Sequence, residues 1–180
     1  LLPRPFKITQ IGPVRLFIKD MAKALAFYQQ KLGLIYTETV TYKGHECHFL
    51  RCNADHHVMA LYPIALRKEL GLSEHSSMLS FGCKVNDYKQ LKDALAFLKD
   101  KGAEIRDLPG EVFPGMDYTA FAIDPDGHAV QFYSYMEQIG WDGKPRPASQ
   151  RRKIDNAKWP ERLDPMSDSL MGETYLGPWG

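Results

Sequence analysis

Pro13-Val14-Arg15-Leu16-Phe17-Ile18-Lys19-Asp20 alternates two sets of side chains and closes on an aspartate. Val14, Leu16 and Ile18 share one parity and Arg15, Phe17 and Lys19 the other, the period of two that a β-strand produces. The arrangement returns 67 residues on as Ser80-Phe81-Gly82-Cys83-Lys84-Val85-Asn86-Asp87, with Phe81, Cys83 and Val85 at matching offsets. Each block feeds a helix. After Asp20, Met21, Leu25, Phe27, Tyr28 and Leu32 recur at helical spacing up to Gly33; after Asp87, Leu91, Leu95 and Leu98 run to Gly102. Asp20 and Asp87 stand where an N-cap carboxylate accepts first-turn N–H groups, and the glycines where a helix stops.

Three further strands are expected behind each helix, over 35–42, 47–52 and 58–62, then over 103–107, 118–123 and 129–135. Turns are expected at Lys43-Gly44, Asn53-Ala54-Asp55 and Asp124-Pro125-Asp126-Gly127. Both halves thus read βαβββ, as modules of about 9–63 and 78–136 within a domain of 1–143. Two half-exposed sheets pair around a shared concavity. The expected fold class is α+β: paired βαβββ modules forming a cup-shaped mixed sheet, with an extended C-terminal arm over 144–180.

The arm carries Pro145, Pro147, Pro160, Pro165 and Pro178 and the triplet Arg151-Arg152-Lys153, which reads as a solvated stretch. Trp159, Leu163, Met166, Leu170, Tyr175, Leu176 and Trp179 make it too apolar for a disordered tail. It is expected to pack on the domain or on a partner subunit.

Composition narrows the function classes. A length of 180 residues, 44% hydrophobic and 25% charged, suits one globular domain. With 23 basic against 22 acidic side chains, the chain lacks the basic surplus that nucleic-acid binding draws on. No apolar run reaches the roughly 18 residues of a membrane span. Three cysteines without a C-x-x-C pair, and no signal-like start, favour a cytoplasmic setting. A first residue of Leu points to a processed end or to a piece of a longer protein.

The repeat resembles the vicinal oxygen chelate superfamily of glyoxalase I, bleomycin-resistance proteins and type I extradiol dioxygenases. The resemblance rests on Lys19-Asp20, Ala24-Leu25-Ala26-Phe27-Tyr28, Leu32-Gly33-Leu34 and Asp124-Pro125-Asp126-Gly127-His128. The stretch His48–His57 looks like the catalytic-type domain of extradiol dioxygenases in particular. The resemblance implies a cup holding Fe(II) or Mn(II) on two histidines and a glutamate, and modules brought together in pairs, here as a homodimer or with a second similar module.

At the implied ligand positions this chain has Pro13, Ser80 and Gln131. Proline has no donor, serine is a feeble ligand for a ferrous ion, and a neutral amide does not replace a carboxylate. No cofactor is therefore expected; Fe(II) or Mn(II) would require relocated ligands such as His57 or His75. Phe121 stands where the family signature has tyrosine, and no histidine lies in 112–115. His57 matches the family's proton-transfer histidine.

A cup lined by aromatics suits a flat, apolar ligand. Phe17, Ser80, Phe121, Gln131 and Tyr133 are its expected substrate contacts, with His57 and Tyr118 as catalytic polar groups. His45, Cys47, His48 and Cys52 lack zinc-knuckle spacing. His56 and His57 cannot both face one cavity, because strand side chains alternate faces. Three functions stay open: metal-independent acid/base chemistry on a small aromatic or polyketide-like molecule, non-catalytic small-molecule binding or resistance, and ring-cleaving extradiol dioxygenase activity.

Overall fold

The computed structural model describes residues 3–72, 74, 76–125 and 127–173. Among them, the strands are β1 (Ile8–Ile18), β2 (Ile35–Tyr42), β3 (His45–Arg51), β4 (Met59–Pro63), β5 (Met78–Val85), β6 (Glu104–Arg106), β7 (Thr119–Ile123) and β8 (Ala129–Tyr133). They form one sheet in the order β2-β3-β4-β1-β5-β8-β7-β6. β1 runs parallel to β4 and β5 to β8, whereas β1 and β5 pair antiparallel where the two halves meet. The expected α+β fold with two βαβββ halves is the one observed.

Helix α1 (Met21–Leu25) continues through a wider turn over Ala26–Lys31, α2 (Leu66–Glu69) lies between the halves, and α3 (Tyr88–Asp100) serves the second. The hydrophobic pattern does not reveal the single-turn α2. Both caps form as expected: Asp20 accepts from the N–H of Lys23 at 3.1 Å and Asp87 from that of Gln90 at 2.8 Å. The halves differ in packing. α3 buries Leu91 and Ala94 against the sheet, while α1 and its continuation bury no residue.

Register joins one row of residues across all eight strands: Glu38, Phe49, Ala60, Arg15, Ser80, Ala129, Ile123 and Glu104. The cup is filled rather than open. Phe17, Cys47, Phe49, Tyr62 and Phe121 form a core there with Leu108, Val112 and Phe113, which a loop folds inward. Cys83, Val85, Ala122 and Phe132 form a second core with Phe6 and α3.

The arm lies on this second core. Trp159 stacks on Tyr88 with ring centres 6.0 Å apart, and the Tyr88 hydroxyl donates to the Pro160 carbonyl at 2.8 Å. Tyr175, Leu176, Pro178 and Trp179 lie outside the described residues, as do His75 and Asp126. Among the described residues, no helix is long and apolar enough to cross a membrane.

Candidate functional site

Arg15 sits at the middle of the cup and is 0% exposed. Its parity with Phe17 carries it inward, and the neighbouring strands close over it. One amino group donates to Ser80 Oγ at 3.4 Å; the other donates to His57 Nε2 at 3.1 Å and to Met116 Sδ at 3.2 Å. The guanidinium lies 5.0 Å from the centre of the Phe113 ring. Among the described residues, no Asp or Glu forms an ion pair with it. Burial lowers the Arg15 pKa, and Tyr62 and Tyr133 partly oppose that.

A guanidinium can only donate, so His57 Nε2 accepts and its proton sits on Nδ1. His57 Nδ1 then donates to His56 Nδ1 at 3.0 Å, and His56 Nε2 donates to Glu38 Oε1 at 2.7 Å. The direction of each of these bonds follows from Arg15; Arg151, 3.4 Å from His56 Nε2, makes its short bond to Glu38 instead, because that nitrogen already donates at 2.7 Å. Burial, reinforced by the charges of Arg15 and Arg151, holds His57 well below the ordinary imidazole range. The Glu38 carboxyl is pushed up by burial, but the hydrogen bond from His56 and the charge and hydrogen bond of Arg151 outweigh that and hold it below its ordinary value.

Both histidines face inward, contrary to the alternation expected of a strand. The reason is local. Residues 53–57 leave β3 in a turn, with the Asp55 N–H bonded to Asn53 Oδ1 at 3.0 Å. The His56 N–H bonds to the Glu137 carbonyl at 2.8 Å, pinning the turn across the cup. Strand parity does not govern such a turn, and both rings are fully buried. Gly115 packs against His56 so closely that an added Cβ would fall 2.4 Å from its Cγ.

A cleft of about 710 Å³ opens beside this path, lined by Glu38 and Val40, by Phe113 and Met116, and by Arg151 and Ile154 of the arm. The basic triplet is therefore not simply solvated. Arg151 meets Glu38 Oε1 at 2.6 Å, and Arg152 Nε reaches both Asp117 oxygens at 3.1 Å. Glu137 is buried beside them, 3.9 Å from both His56 and Arg151, and accepts from the Arg146 backbone N–H.

The structure brings most of the expected contacts to the concave face. Phe17 and Phe121 belong to its core, with Phe121 5.0 Å from Phe113. Ser80 touches Arg15; Gln131 is fully buried; the Tyr133 hydroxyl donates to the Gly12 carbonyl at 2.8 Å. Tyr118 is a correction. It lies with Ala122 on the helix-facing side, its ring 5.1 Å from Trp159 and 5.8 Å from Tyr88, so the sheet separates it from His57. Arg15, Glu38, His56 and Arg151 were not expected site residues; the parity shared by Arg15 and Phe17 was the one signal available.

The implied metal positions bring together Pro13 without a donor, a Ser80 hydroxyl facing a guanidinium, and the neutral amide of Gln131. Nothing in that set balances a divalent charge, and the Arg15 cation stands against it. These residues do not fit Fe(II) or Mn(II). Among the described residues, no group of three or more His, Cys, Asp or Glu is placed to hold a metal.

A family model described as the Glyoxalase/Bleomycin resistance protein/Dioxygenase superfamily matches residues 10–132. The chain belongs to this superfamily. Over 121 residues it is 26% identical to the 2,2',3-trihydroxybiphenyl dioxygenase of Sphingomonas paucimobilis, covering 67% of this chain and 40% of that protein. Among solved structures of the superfamily, it is similar to 2,2',3-trihydroxybiphenyl 1,2-dioxygenase from Sphingomonas wittichii strain RW1, with a TM-score of 0.58 and 24% identity over 72% of this chain and 43% of that one. It is also similar to homoprotocatechuate 2,3-dioxygenase from Arthrobacter globiformis, with a TM-score of 0.61 and 22% identity over 76% of this chain and 39% of that one. The chain thus spans about two-fifths of the length of these dioxygenases.

Proposed function

We propose that this extradiol-dioxygenase-like domain binds a small aromatic or polyketide-like molecule in the cleft and acts on it by metal-independent acid/base chemistry through His57. The unbroken path from His57 through His56 to Glu38 carries the reading. A proton taken up at His57 Nε2, which requires the substrate to displace the Arg15 N–H bonded there, lets the Nδ1 proton pass to His56 Nδ1 while the His56 Nε2 proton passes to Glu38. Each hand-over spans 3.0 Å or less. The hydrogen bond from His56, with Arg151 beside it, keeps the Glu38 carboxylate ionised at the end of the path. His57, neutral through burial, starts in the base form. The apolar wall of Val40, Phe113 and Ile154 suits an aromatic ring, and the similar dioxygenases are named for aromatic compounds.

An enolisable aryl diketone such as benzoylacetone provides the test, with deuterium uptake from D2O followed by NMR. Exchange is expected to fall about 100-fold or more in His57→Ala, the usual scale for losing a general base, with binding largely kept. Loss of affinity alone would favour a non-catalytic binding or resistance protein. Stoichiometric iron or manganese in chain purified without chelators, with Fe(II)-dependent cleavage of 2,3-dihydroxybiphenyl, would overturn the metal-independent reading and return the function to a ring-cleaving dioxygenase.

A further inference from the structure

We propose that Arg15 is an anion-binding residue, and that the molecule recognised carries an oxyanion, a carboxylate or an ionised phenol, on its apolar ring. The inference rests on the metal-independent reading and adds to it the chemical class of the ligand. A guanidinium removed from water incurs a large desolvation penalty unless a counter-charge accompanies it. Arg15 is fully buried, yet the groups it meets are an imidazole, the hydroxyls of Ser80 and Tyr62, a thioether and a phenyl face, all uncharged. Its Nε has no hydrogen-bond partner among the described residues.

A second observation points to the same place. Gln131 is 0% exposed, and neither its amide oxygen nor its amide nitrogen finds a partner among the described residues. The register relates the two side chains. Ser80 is the β5 partner of Arg15, and Gly82, two residues along on the same face, is opposite Gln131 on β8. A cation with an idle N–H and an amide with an idle NH2 on one concave face suit the oxygens of an oxyanion. The apolar remainder has a route in. Phe113 and Met116 both touch Arg15 and both line the cleft, so one layer of side chains separates the guanidinium from it. Met116 is the flexible member of that layer, and its sulfur occupies a position against Arg15 that a charged oxygen would fill better.

Calorimetry with benzoate, 4-nitrophenolate and the uncharged isostere benzamide tests this on the full chain, with and without EDTA. Benzoate or nitrophenolate is expected to bind, the stronger of the two identifying the source of the oxyanion, and benzamide at least tenfold more weakly. Arg15→Met is expected to weaken that anion at least tenfold while melting no lower than the parent chain, because it removes an uncompensated buried charge. Gln131→Leu is expected to weaken the same anion several-fold, again without lowering the melting temperature. Failure of both anions to bind, benzamide binding as tightly as benzoate, anion binding that survives both substitutions, or a marked drop in the melting temperature of both variants would overturn the inference. Anion binding abolished by EDTA and restored by Fe(II) would overturn the metal-independent reading along with it, whereas EDTA-insensitive binding indifferent to Arg15 would sink the present inference alone.

Discussion

Arg15 donates to His57 Nε2 across 3.1 Å, and that contact determines which nitrogen of each ring carries its proton as far as Glu38. A cation that cannot accept a bond sits at one end, and a carboxylate held ionised by His56 and Arg151 sits at the other. The two histidines between them are polarised in one direction. The arrangement has a cost: it keeps an imidazole neutral in the folded chain that is free to protonate in the unfolded one.

That cost appears as pH dependence. The folded His57 pKa lies well below 6.5, lowered by burial and then by Arg15 and Arg151. Below the unfolded value the unfolded chain binds a proton that the folded chain refuses. Stability is therefore full above about pH 6.5 and falls as pH drops toward the lowered folded value, by up to about 1.4 kcal/mol per pH unit. His48, also lowered by burial, acts in the same direction. Urea midpoints measured between about pH 7.5 and 5.5 should fall for the parent chain and fall less for His57→Asn. Equal slopes for the two would show that His57 is not the buried neutral group.

Gly115 has a φ of +75°, and a Cβ there would meet the His56 ring at 2.4 Å. Gly143, with a φ of +69°, has nothing within 4 Å of the corresponding position. Both alanine variants bear the strain of a positive φ, about 1 kcal/mol; only Gly115→Ala must also displace His56, which adds about 1–3 kcal/mol. Chemical denaturation should rank Gly115→Ala well below Gly143→Ala. The His56 and His57 ring signals in NMR should shift for Gly115→Ala alone.

Two of the ion pairs that hold the arm, Arg151 with Glu38 and Arg152 with Asp117, are not equivalent. Glu38 is held below its ordinary pKa, so its charge is stabilised by folding, whereas burial raises Asp117 despite Arg152. Glu38→Gln should destabilise the chain by about 1–3 kcal/mol, the range for a hydrogen bond to a charged group, and speed tryptic cleavage at Arg151. Asp117→Asn should change stability by less than about 1 kcal/mol, because the burial cost of the charge disappears with its attraction to Arg152. The reverse ranking would show that Asp117 is the principal latch.

Much of the fold is legible because β-period, N-caps and a repeat at 67 residues agree with one another. The site is less so, for reasons that lie in tertiary contacts. In β1 the aliphatic set looks like the core face, yet Arg15 and Phe17 are the buried pair and Val14, Leu16 and Ile18 stay partly exposed. α1 packs too loosely to cover that outer face, and nothing local announces this. His56 and His57 defeat strand alternation because the backbone has already turned. Glu38 and Arg151 meet across 113 residues, a distance at which charge spacing carries no signal. Tyr118 and Phe121, three residues apart, have opposite strand parity and face opposite sides of the sheet: Phe121 lies in the cup and the Tyr118 ring turns to Trp159.

The loosely packed α1 also bears on assembly. Phe27 is 47% exposed and Leu32 58%, large apolar side chains left uncovered where α1 continues in the first half. The equivalent face of the second half is covered by Phe6, Trp159 and Leu163. Large apolar side chains concentrated on one surface mark an interaction site more often than a solvated one. A second copy of this chain is the occupant we predict, since β2 is the sheet edge beside the patch and a two-fold contact would cover both copies alike. Sedimentation velocity should show a dimer that Phe27→Glu with Leu32→Glu converts to a monomer with little change in circular dichroism. Removing residues beyond Gly143 should leave the association intact while exposing Tyr88 and Tyr118 and lowering stability, because the arm covers the other face. A full chain that stays monomeric at high concentration would show that Phe27 and Leu32 do not form a self-association surface.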